Sequence, residues 1–87
     1  MEDIQDLRRE IDKIDQEIVK LFNHRLEIAK KIALYKKANN LTVLDQKRED
    51  ALLEKISKLS QDEYKEETLK LYDGILKISK DYQKKHI

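Results

Sequence analysis

Residues 4–35 read IQDLRREIDKIDQEIVKLFNHRLEIAKKIALY, and the spacing of their apolar side chains decides the fold. Ile4, Leu7, Ile11, Ile14, Ile18, Leu21, Ile28, Ile32 and Tyr35 recur at alternating steps of three and four, with one position skipped between Leu21 and Ile28. A seam of that period belongs to an α-helix packed against other helices. It runs for about nine turns, roughly 48 Å at the usual rise per residue. An uncapped helix of that length needs a partner along its surface.

Downstream the punctuation is equally helical. The chain holds no Pro and a single Gly, and Leu, Ile, Lys and Glu dominate it, so β-hairpins and long loops have no signal. Asn39-Asn40 breaks the periodic pattern, and Thr42 and Asp45 are two candidate N-caps for a second helix carrying Ala51, Leu52, Leu53, Ile56 and Leu59. Ser60-Gln61-Asp62 then supplies a break and cap, opening a third helix whose apolar side includes Leu69, Tyr72, Ile75, Leu76 and Tyr82. The expectation is an all-α fold of three helices: one long, one short and one medium. Gly74, inside the third, costs about 1 kcal/mol relative to Ala. Close approach of another helix would explain it, and so would simple tolerance.

Bulk properties narrow the function classes. With 87 residues the chain suits one domain, residues 1–87, and leaves no room for a covalently fused catalytic or regulatory partner. A hydrophobic share of 39% against 43% charged residues is a thin supply of core, and small domains bury proportionately less surface, so oligomerisation is expected. Nineteen Lys and Arg against eighteen Asp and Glu, net +1, give no field that would gather nucleic acid. The lack of Cys excludes disulfides, zinc thiolates and a cysteine nucleophile and fits a reducing compartment. The N-terminus, Met1-Glu2-Asp3, is acidic and no apolar run approaches a signal or membrane-spanning segment, so a cytoplasmic protein is expected. His24 and His86 are too isolated for a metal site, and Lys30-Lys31, Lys37 and Lys84-Lys85 read as a solvated face.

The chemistry lies in polar residues set on apolar stripes. The position skipped in the first helix is Arg25, on the heptad line of Ile4, Ile11, Ile18 and Ile32, where it points into the seam and requires an anion. Lys36, eleven residues on, shares that face about 16 Å away along the axis and leans back toward Arg25. The gap between the two heads suits a small molecule bearing carboxylates; an Asp or Glu from another helix, forming a buried ion pair, would serve Arg25 equally. Arg48, with Glu49, occupies the first turn after Asp45, where an arginine opposes the helix macrodipole. These three residues read either as pocket groups or as an ordinary cap with surface charges. Ser79 and Gln83, four apart, are polar where the third helix's stripe should continue apolar, unless the helix already frays there. Arg8 lies seventeen residues before Arg25, about 25 Å along the axis, too far for one small ligand to touch both in one chain. If it serves the same site, it arrives from the antiparallel first helix of a second subunit, giving two composite sites per dimer.

The set L-R-(x16)-R-(x10)-K-(x8)-D-x-x-R-E followed by S-x-x-x-Q, from Leu7 to Gln83, resembles the all-helical chorismate mutases, as does the I-D-x-x-I/L pattern of the first helix. The resemblance implies an intertwined homodimeric helical bundle that rearranges chorismate to prephenate in phenylalanine and tyrosine biosynthesis, with no cofactor. It further implies that Arg25, and Arg8 from the partner subunit, bind the substrate's carboxylates. Lys36 and Gln83 would flank the ether oxygen, Asp45 and Arg48 would shape the pocket, Glu49 would take the ring hydroxyl, and Ser79 would assist a carboxylate. Gln83 stands where some relatives carry Glu, which must be protonated to donate. Two rival expectations are an isochorismate pyruvate-lyase, which shares this architecture, and a non-catalytic helical dimer that regulates a shikimate-pathway enzyme.

Overall fold

A computed structural model of the chain describes residues 3–86; Met1, Glu2 and Ile87, and with them most of the acidic N-terminal reading, lie outside the described residues. Three helices follow one another: α1 at Ile4–Ala38, α2 at Gln46–Leu59 and α3 at Lys65–Lys84, with a single 3₁₀ turn at Asp62–Tyr64 before α3. The molecule measures 57 × 24 × 15 Å, its length set by the 35 residues of α1.

Local chemistry accounts for the ends. Asp3 caps α1, its carboxylate accepting the Asp6 N–H at 2.9 Å. At the far end Asn40 takes a left-handed φ of 56°, Leu41 N–H donates to the Lys36 carbonyl at 2.8 Å, and Asn40 N–H to that of Lys37. This is the paired closure that ends helices when a residue tolerant of positive φ follows the last turn. Of the two candidate caps for α2, Asp45 fills the role, its Oδ1 accepting the Arg48 N–H at 3.1 Å, while the Thr42 hydroxyl donates to the Leu44 carbonyl. The start of the third helix differs from expectation. Ser60 ends α2, and the 3₁₀ turn takes up the next residues, so α3 opens from Tyr64 without any side-chain cap. Glu66 and Glu67 in its first turn supply the negative charge that the helix dipole favours there.

α3 packs against both α1 and α2, which do not meet each other directly. Among the described residues the buried apolar side chains are few: Ala29, Ala33 and Ile56. Ala29 and Ala33 lie one turn apart, and their small side chains let α3 approach the α1 backbone. All nine seam residues from Ile4 to Tyr35 are exposed within the single chain, because α3 covers the alanine side of α1. A Cβ at Gly74 would meet open space, so close approach of a helix within the chain does not explain that glycine. Among the described residues no helix is long and apolar enough to cross a membrane.

Candidate active site

The C-terminal part of α1, the start of α2 and the end of α3 enclose a cavity of about 430 Å³. Arg25, Lys36, Asp45, Arg48, Glu49, Ser79 and Gln83 all line it. Arg8 does not; it is exposed toward the other end of α1. Ser79 and Gln83 are buried inside a continuous helix, which rules out an early frayed end as the reason for their polarity. No buried side-chain polar atom among the described residues lacks a hydrogen-bond partner.

Arg25 settles between its two readings within the chain. Its Nη1 donates to the Ser79 hydroxyl at 2.7 Å, and among the described residues no carboxylate pairs with it. Ser79 fixes the guanidinium without neutralising it, which leaves the charge for an anion from outside. The Lys36 Nζ donates to the Val43 carbonyl at 2.9 Å, and both residues line the cavity together with Arg25. Arg48 likewise has no acidic partner among the described residues.

Gln83 reaches across from α3 and donates Nε2–H to the Ala29 carbonyl at 3.0 Å. An amide nitrogen carries two protons, so one donor remains for the cavity. Glu49 is already engaged: the ammonium of Lys80 lies 3.0 Å from its Oε1. Lys80 and His24 line the cavity although the sequence reading assigned neither a role. Adjacency was the available signal, because His24 precedes Arg25, and Lys80 follows Ser79 and stands one turn before Gln83.

Four cationic side chains, Arg25, Lys36, Arg48 and Lys80, thus face two carboxylates, Asp45 and Glu49, around a partly apolar hollow walled by Leu21, Ile28 and Leu76 among others. The charges leave a positive excess of two at the wall, an arrangement suited to a compact anion. It holds no cysteine nucleophile, and its serine hydroxyl is tied to a guanidinium rather than to a base.

Comparison with known proteins agrees with this chemistry. A family profile described as chorismate mutase type II matches residues 7–84. The bifunctional chorismate mutase/prephenate dehydratase of Aquifex aeolicus is 42% identical over 64 residues, 74% of this chain but 18% of that protein. The chain therefore spans under a fifth of the Aquifex protein's length. The chorismate mutase of Methanocaldococcus jannaschii is 28% identical over 89 residues, covering 100% of this chain and 90% of the relative. Among solved structures, a conserved hypothetical protein from Pyrococcus furiosus superposes with a TM-score of 0.76 at 41% identity, covering 92% of this chain and 93% of that one. Because the matched segment runs through all three helices and carries every side chain that lines the cavity, the chain belongs to the chorismate mutase type II family.

Proposed function

We propose that this chain is a chorismate mutase that works as a cytoplasmic homodimer, converting chorismate to prephenate without a cofactor. The observation that carries the reading is the set of three cavity cations that have no acidic partner among the described residues, Arg25, Lys36 and Arg48, beside the buried Ser79 and Gln83. A dianion with an ether bridge matches that set.

The reaction is a concerted rearrangement: the ether C–O bond breaks as a C–C bond forms, no proton moves, and no covalent intermediate is made. A nucleophile or an acid/base pair would be idle, so positioning and electrostatics supply the rate. Arg25, steadied by Ser79, holds one carboxylate, and the cavity folds the extended dianion into its compact reactive conformer. Negative charge grows on the ether oxygen as its bond to carbon breaks. The Lys36 ammonium and the free proton of the Gln83 amide, both fixed by backbone carbonyls, meet that charge. Donors already held in place bind the transition state more strongly than the substrate. Asp45 and Arg48 shape the end of the pocket formed by α2, and Glu49 accepts the ring hydroxyl.

The dimer is supported by one observation. Nine seam residues of α1 stand exposed, an apolar stripe that an antiparallel copy of α1 would cover. Such a copy also carries Arg8 of the partner subunit toward the cavity, supplying the second carboxylate's partner and completing the site.

Loss of chorismate absorbance on adding purified protein tests the reaction. Lys36→Ala is expected to slow it by about 3 kcal/mol of barrier, more than a hundredfold. Equal rates in both proteins would end the site assignment. Turnover of isochorismate with release of pyruvate, and none of chorismate, would replace the reaction with a lyase.

A further inference from the structure

The five ion pairs among the described residues fall into two kinds. Four join residues three or four apart in sequence, and each has a carboxylate side chain more than half exposed. The fifth joins Lys80 on α3 to Glu49 on α2, and there the carboxylate side chain is only 15% exposed and the lysine 35%. Both residues line the cavity. An exposed pair one turn apart contributes little. In one that crosses between helices at the wall of a cationic hollow, the ammonium offsets a carboxylate that an incoming dianion would otherwise meet as bare negative charge.

We propose that Lys80 is a specificity-determining positioning residue, which holds Glu49 in the orientation that reads the substrate's ring hydroxyl. The inference rests on the proposed role of Glu49 and names what makes that role possible. Lys80 Nζ engages Oε1 at 3.0 Å, which leaves Oε2 as the acceptor for a hydroxyl proton. The glutamate stem has three rotatable bonds, and nothing else among the described residues pairs with its carboxylate. Freed of Lys80, the carboxylate would swing toward solvent or toward the unpaired Arg48 and Arg25, and would compete with the substrate's own carboxylates for them. Lys80 is placed for the task by helix geometry. It follows the buried Ser79 and stands one turn before the buried Gln83, so its long apolar stem runs along the wall those residues form and its head reaches α2.

The ring hydroxyl takes no part in the bonds that break and form, so its recognition strengthens substrate and transition state alike and registers in KM rather than kcat. The experiment compares kcat/KM for chorismate with that for its ring O-methyl ether, which has no hydroxyl proton to give. The ratio of the two cancels the general attraction between Lys80 and a dianion. Lys80→Met is expected to lower the ratio about tenfold, through KM for chorismate, while Lys80→Arg keeps it within about twofold of the wild type. In a Glu49→Ala background, which has no acceptor at that position, Lys80→Met should move the ratio no further. An unchanged ratio in Lys80→Met, beside a collapsed ratio in Glu49→Ala, overturns the inference while leaving the glutamate's role intact. A wild-type ratio in Glu49→Ala instead overturns the role of Glu49, and the inference falls with it.

Discussion

Arg25 on α1 and Ser79 on α3, 54 residues apart in sequence, meet at 2.7 Å through a guanidinium-to-hydroxyl hydrogen bond. The bond orients a cation without cancelling it. Ser79→Ala should therefore reduce kcat/KM for chorismate by about tenfold, the usual worth of a hydrogen bond to a charged group. Arg25→Ala should reduce it by at least about a hundredfold, and steady-state kinetics of both variants distinguish the supporting residue from the supported one.

If the amide at position 83 faces the reacting oxygen, the wild-type rate should be nearly independent of pH across the neutral range, because its donation requires no proton uptake. Gln83→Glu should change that. A glutamate donates only when protonated, so the variant is active at low pH and loses activity as pH rises through the side chain's pKa, from about 4.3 upward and higher if burial disfavours the charge. The ionised form would also face the Ala29 carbonyl with no proton to offer, so the variant's thermal stability should fall in the same direction. A flat pH profile for Gln83→Glu would remove the amide from the reacting oxygen.

Composite sites predict complementation. Arg8→Ala and Arg25→Ala should each be nearly inactive alone, although Arg8 is exposed and its removal should leave the fold unaltered. Mixing the two under conditions of subunit exchange makes half of the dimers mixed, each with one intact site, and should recover about a quarter of wild-type activity. No recovery would show that Arg8 and Arg25 act from the same chain or that Arg8 does not act at all.

Asp45 both caps α2 and lines the cavity, and two substitutions separate these roles. Asp45→Ala should lower stability by about 1 kcal/mol in denaturant titration. Asp45→Asn keeps the cap and its stability, so any change in its kinetics reports the missing charge alone.

The exposed seam predicts the assembly state. Sedimentation equilibrium should find dimers of the wild type, and replacing Ile11 and Ile18 with Glu, which sets like charges along the stripe, should yield monomers. Activity should disappear with the dimer.

The helical class, the break at Asn39-Asn40 and the cap at Asp45 were legible in residue order, because helix periodicity and capping act over three or four residues. The inward position of Ser79 and Gln83 was legible too, since both interrupt the apolar stripe of α3. Which partners those groups take was not. Arg25 found a hydroxyl instead of an acid, Lys36 turned to the Val43 carbonyl, Lys80 claimed Glu49, and α3 settled on Ala29 and Ala33 rather than on the isoleucine seam. Each of those outcomes depends on where separate helices lie relative to one another. Local spacing determines the face a side chain occupies, whereas the packing of distant segments determines what stands opposite it.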